Sequence, residues 1–195
     1  MHPAGQRWRW RWMALALAAL AALWALPALA TEIDPAHSRI GFTLKTRWGQ
    51  ALEGRFPDWR GEIVRVSDQR RQVRLRLPTG EVEILGHPRY SKLTRGAGFF
   101  DADRHPWVEF VSDPYTEELL LEGGLLGGAL TIRGVRRREV FVLEPATCAR
   151  PTIDCDVVAS GVVYRSDYAM DRWGLALSDR VVFNLQIRAR PAAAP

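Results

Sequence analysis

The chain has 195 residues, 27 of them Lys or Arg and 22 Asp or Glu, for a formal net charge of +5. Three of the arginines, Arg7, Arg9 and Arg11, crowd the N-terminus; without them 24 basic residues face 22 acidic ones, a net +2. A near-neutral body with no clustered basic face and no recognition motif excludes nucleic acid as the partner, and its length suits one domain with a real core.

The N-terminus reads as an export signal. After the three arginines, Met13 to Ala30 is apolar without a single charge and ends in Ala28-Leu29-Ala30. Basic residues, an apolar run and small residues at the −3 and −1 positions predict cleavage before Thr31. An uncleaved anchor is the less favoured reading: the run sits at the lower limit for crossing a bilayer, roughly 17 residues, and Pro27 breaks its end. No cysteine lies at the junction, and the arginines never pair, so neither a lipidated N-terminus nor a twin-arginine signal is expected. The expected protein is an exported single domain over 31–190, with a disordered Pro/Ala tail over 191–195.

Period-two alternation dominates that domain. Ile40, Phe42 and Leu44 alternate with polar or small residues. So do Val73, Leu75 and Leu77, and later Phe183, Leu185 and Ile187, with Val181 ahead of them separated by Val182. One apolar and one polar face is the pattern of antiparallel strands wetted on one side. Further strands are predicted over 51–56, 61–66, 107–112, 129–133, 139–143 and 156–164, with Gly, Pro and Asp between most of them. The best helix candidate is Pro88–Arg95, with Pro88 in its first turn and Gly96 as its stop. A further turn is expected over 171–177. Many strands of similar length and almost no helix leave a sandwich or a closed barrel.

Cys148 and Cys155 form a lone close pair. Without the Cys-x-x-Cys spacing of a redox pair or nearby metal ligands, they read as a structural disulfide in an oxidising compartment. No metal or other cofactor is expected. There is no Gly-x-Ser-x-Gly elbow, His-Glu-x-x-His or phosphate loop, and the protein reads as a non-enzyme. Asp101, Asp103 and His105 are close in sequence but have no nucleophile beside them. His37 and His105 read as local hydrogen-bonding residues. Arg133, Arg136, Arg137 and Arg138 surround a predicted hairpin turn, where a solvated turn is favoured over attraction to anionic lipid. Trp48, Trp59, Trp107 and Trp173 are candidates for an apolar mouth.

Five segments together carry a resemblance. They are Ile33-Asp34-Pro35-Ala36-His37-Ser38; Gly54-Arg55-Phe56 with Gly61; Phe99-Phe100-Asp101 with Pro106 and Phe110; Leu130-Thr131-Ile132-Arg133-Gly134-Val135; and Tyr164-Arg165-Ser166-Asp167-Tyr168 with Asp179-Arg180-Val181. In this order, from Ile33 to Ala189, the chain resembles the YceI-like family of periplasmic polyisoprenoid-binding proteins. It departs from the family pattern at 78–87, at Gly96-Ala97-Gly98, and at Tyr164 and Tyr168, where Asn and Phe are common.

The resemblance implies an all-β, lipocalin-like antiparallel barrel of about eight strands with one short helix near the mouth. It also implies an apolar lumen for an isoprenoid lipid or quinone tail. The inward positions Ile40, Phe42, Leu44, Leu75, Leu77, Phe110, Leu130, Ile132, Phe183 and Leu185 are the expected lumen residues. Arg165, Ser166 and Asp167 are candidates for a lipid head group, with an Arg–Asp pair and hydroxyl fixing the loop as the favoured alternative. Transient membrane contact and a homodimer are further expectations. The competing class is a filled barrel that serves as an envelope interaction module.

Overall fold

The structure is a computed structural model that describes residues 30–190. The predicted signal segment up to residue 29 and the 191–195 tail lie outside the described residues. Ala30, at the expected cleavage point, begins the first strand.

Eleven segments form one antiparallel sheet: β1 (Ala30–Glu32), β2 (Arg39–Thr46), β3 (Ala51–Arg55), β4 (Arg60–Arg65), β5 (Arg71–Pro78), β6 (Glu83–Ile84), β7 (Trp107–Ser112), β8 (Gly124–Ile132), β9 (Val135–Leu143), β10 (Val157–Tyr164) and β11 (Leu177–Ile187). The predicted alternation appears as alternating burial, most regularly along β2, β7 and β8. Inward Ile, Leu, Val and Phe line one continuous core, while the outward face carries Arg–Glu pairs such as Arg76–Glu109 and Arg55–Glu83.

The eleven segments are eight strands, because six of them are halves of three kinked strands. β2 pairs with β3 while β1, just before β2, pairs with β4, just after β3. β5 pairs with β4 and its continuation β6 pairs with β3. From β5 the ladder passes through β7, β8, β9, β10 and β11. It then returns to β2 and, through the Ile33–Ala189 bridge, to the end of β1. Closure leaves the barrel with few free edges.

Each kink has a local cause. Between β1 and β2, the Asp34 carboxylate accepts the Ala36 N–H at 3.0 Å and meets His37 Nδ1 at 2.7 Å, closing a tight turn at Pro35. There the buried Ser38 hydroxyl accepts from Arg188 N and donates to Arg188 O, bridging the interrupted ladder to β11. Pro57 bends β3 into β4. Between β5 and β6, Thr79 is fully buried and donates its hydroxyl to His105 O at 2.7 Å. The β8–β9 hairpin turns on Arg133 and Gly134, both at positive φ, which suits the twist of a two-residue turn.

Helix α1 (Pro88–Arg95) lies where the sequence puts it, and turns occupy 172–176. A second helix, α2 (Glu117–Glu122), adds to the one the sequence predicts. Its signals are Thr116 before it, Glu117 and Glu118 in its first turn, and Gly123 at positive φ as its stop. At only six residues it carries too little periodicity to stand out from a loop.

Candidate functional site

Two cavities occupy the barrel axis. The upper one has a volume of about 240 Å³ and is lined by inward residues of β2, β3, β6, β8, β10 and β11, together with Tyr90, Leu93 and Thr94 of α1 and Phe99 and Phe100 after it. The lower one, about 70 Å³, lies between β2, β4, β5, β7, β8, β9, β10 and β11, with Leu120 of α2 and Thr152 of the β9–β10 loop at its floor. Helix α1 therefore flanks the mouth, and α2 closes the far end.

All ten expected lumen positions are buried and border these cavities. Phe42, Leu44 and Ile132 line the upper one. Ile40, Leu75, Leu77, Phe110, Leu130 and Leu185 line the lower one. Phe183 lines both, and its ring stands 5.9 Å from that of Phe42, so these two aromatics separate the spaces. The walls also include Leu52, Phe141 and Val163, which the same alternation marks, and Ile84, Phe99, Phe100 and Met170, which come from loops or a two-residue strand with no periodicity to mark them.

The mouth carries an apolar rim. Trp48 is 80% exposed, Trp173 53% and Leu175 97%, and Tyr90 and Leu93 of α1 are also exposed. Arg47, Arg89, Lys92 and Arg172 are exposed beside them in sequence. Trp59 and Trp107 take no part: Trp59 is buried in the core, and Trp107 lies on the outer wall under the Arg76 guanidinium, 4.7 Å away.

The Arg165-Ser166-Asp167 segment forms a short 3-10 turn after β10. Arg165 is buried and borders the upper cavity, where burial holds its guanidinium below the usual arginine range against the opposing pull of Asp179 and Asp171. It does not pair with Asp167. Asp167 instead faces Arg137 at 3.4 Å, and Ser166 bonds Asp179 through both its N–H and its hydroxyl, at 2.8 and 2.6 Å. Tyr168 is fully buried and donates to Glu139 Oε1 at 2.7 Å; burial first, and that carboxylate second, push its hydroxyl far above the usual range. The hydroxyl that distinguishes Tyr168 from the family's common Phe thus has a partner.

The arginines of the β8–β9 turn also serve the fold. Arg133 donates to Ala169 O, Arg137 Nε to Asp167 O and Arg138 to the Asp113 carboxylate. Asp101, Asp103 and His105 border neither cavity.

A model of the YceI-like domain matches residues 32–189. The chain belongs to the YceI-like family. Its fold is similar to the crystal structure of Burkholderia cenocepacia BcnA, at 19% identity with a TM-score of 0.64, covering 80% of this chain and 98% of that one. It is also similar to a polyisoprenoid binding domain from Saccharophagus degradans implicated in plant cell wall breakdown, at 13% identity, a TM-score of 0.61 and coverage of 84% and 99%. The YceI protein of Campylobacter jejuni gives 19% identity, a TM-score of 0.53 and coverage of 70% and 84%. No curated protein matches the chain.

In this YceI-like barrel the disulfide lies at the floor. Cys148 and Cys155 are bonded and close the β9–β10 loop. Within that loop Arg150 holds Asp154 through two bonds of 2.8 Å, and Thr152 O accepts from Ala189 N. The staple thus fixes Thr152 against the lower cavity.

Proposed function

We propose that this protein is a periplasmic carrier or store for a long isoprenoid lipid, a polyisoprenoid or an isoprenoid quinone, and that it performs no chemistry on its cargo. The observation that carries this reading is the apolar lumen, entered past α1 and continued beyond Phe183 towards α2. A flexible branched hydrocarbon fits a narrow apolar bore by burial and dispersion alone. At roughly 25 cal/mol per Å², a few hundred Å² of buried tail gains several kcal/mol before the entropy of ordering is subtracted. The polyisoprenoid binding named for the Saccharophagus degradans domain supports the same reading.

The mouth suits exchange with a bilayer. Aromatic and aliphatic side chains with basic residues among them favour the membrane interface, where the rings sit at head-group level and the cations meet anionic lipid. Trp48, Trp173, Leu93 and Leu175 supply the first part, and Arg47, Arg89, Lys92 and Arg172 the second. The disulfide and the N-terminal export pattern support the periplasm as the compartment.

Native mass spectrometry of protein purified from its own periplasm, followed by solvent extraction, tests the reading. A discrete extra mass that fragments as a prenyl lipid is the expected result. A clean apo mass that stays unshifted after isoprenoid quinones are added overturns it and favours an interaction module.

A further inference from the structure

Arg165 is 4% exposed in a cavity whose other walls are almost all apolar. Three of its five N–H bonds are committed: Nε donates to Ser178 O at 3.0 Å, and Nη1 to Met170 O at 2.7 Å and Arg172 O at 3.1 Å. Every acceptor is a neutral carbonyl. Asp179, the carboxylate whose charge acts on it most, is engaged with Ser166, and no carboxylate among the described residues lies within ion-pair distance of the guanidinium.

The remaining nitrogen, Nη2, has no acceptor among the described residues. It is not sealed in the protein either, since no fully buried side-chain nitrogen or oxygen there lacks a partner. The open space beside Arg165 is the upper cavity. A desolvated cation with two unspent donors is costly unless an acceptor completes it.

We propose that Arg165 is the head-group site of the lumen, and that it selects amphiphiles whose head presents an oxygen anion, a carboxylate or a phosphate ester, over lipids with no oxygen. The proposal rests on the lipid-binding reading above and extends it to the ligand's polar end. The carbonyl bonds hold the guanidinium plane in place, so the acceptor meets donors already oriented. The tail then runs down the lumen towards Phe183, and the head stays on the mouth side. Phe99, 5.9 Å from the guanidinium carbon, shields the pair from water.

Two ligands with the same isoprenoid tail test this: geranylgeranoic acid and the corresponding hydrocarbon, each displacing a fluorescent apolar probe from the full chain. The acid is expected to bind wild type about tenfold or more tighter. Arg165→Met is expected to abolish that preference, so that acid and hydrocarbon bind it equally, and Arg165→Lys to restore part of it. Because Arg165 also ties a loop, a second measurement needs no variant: an isotopic label at the acid's carboxyl carbon reports its ionisation when bound. Beside Arg165 the carboxyl stays ionised below its pKa in solution, whereas an apolar cavity alone would raise that pKa. Equal binding of acid and hydrocarbon, or a raised carboxyl pKa, overturns the proposal and leaves the lipid reading standing. Failure of both ligands to bind overturns the two together.

Discussion

The Phe42 ring lies flat over Gly54, its direct partner across the β2–β3 ladder, so closely that a Cβ on Gly54 would sit 2.2 Å from Phe42 Cζ. Phe141 covers its own ladder partner Gly161 in the same way, and Phe110 covers Gly128, which lies diagonal to it in the β7–β8 ladder. Glycine opposite an inward aromatic makes room for a ring against the wall instead of across the bore. Gly54→Ala is therefore expected to destabilise the protein by about 1–3 kcal/mol and to push Phe42 into the upper cavity. Denaturant midpoints and lipid affinity should fall together; an unchanged affinity would mean that Phe42 does not shape the bore.

Phe183 stands where the two cavities meet. It borders both cavities, so Phe183→Ala should join them at a cost of about 3–5 kcal/mol in stability. The lipids extracted from that variant should shift towards longer chains, and those from Phe183→Trp towards shorter ones. Mass spectrometry of the extracts reads the shift directly, and an identical chain-length distribution in all three proteins would show that Phe183 is no barrier.

How much of this was legible beforehand depended on periodicity. Alternation along β2, β5 and β11 identified the inward faces, because a strand's side chains can point only two ways. Hence Ile40, Leu75, Leu185 and the other expected positions all border the lumen. Alternation says nothing about which strands are continuous across a kink: Ser38 and Thr79 join halves through hydroxyl bonds to residues distant in sequence. It is equally silent about loops, so Phe99, Met170 and the Thr152 floor appear only in the folded chain. For Arg165-Ser166-Asp167 the sequence could not assign partners. Charge proximity suggests an Arg–Asp pair, yet Arg165 turns inward to carbonyls and Asp167 outward to Arg137.

Trp48 and Leu175 project from the mouth with little contact to the core, being 80% and 97% exposed. Replacing both with Ser should change stability by no more than about 0.5 kcal/mol, as for surface sites in general. Binding to vesicles containing anionic lipid should nevertheless drop several-fold, and so should the rate of lipid transfer from them. Full vesicle binding by the double variant, measured by co-sedimentation, would remove the mouth from the exchange step.

Reducing the Cys148–Cys155 bond releases a short loop, and the chain-entropy argument limits the loss to about 2.5 kcal/mol. The barrel should survive. Because the loop presents Thr152 to the lower cavity, the larger effect is expected on ligand release. Cys148→Ser with Cys155→Ser should lower the melting temperature by several degrees and speed lipid dissociation. Stopped-flow displacement that shows no change in off-rate would separate the staple from the lumen.

Asp179 should make the mouth sensitive to acid. Burial works to raise its pKa, but the Ser166 hydroxyl and N–H bonds, with the Arg165 charge, outweigh it and hold the carboxyl below its ordinary value of 3.8. A depressed folded-state pKa contributes stability that is complete above the unfolded value and is lost as pH falls through the folded one. The window therefore lies below about pH 4. Protonation there cancels the Asp179 charge that faces Arg165 and weakens the hold on the 165–179 loop. Asp179→Asn keeps one acceptor for Ser166 but has no proton to gain. Its melting temperature should lie below wild type at neutral pH, and the gap should close as pH drops under 4. A gap that stays constant across that range would mean that the Ser166 bonds, and not the Asp179 charge, hold the loop.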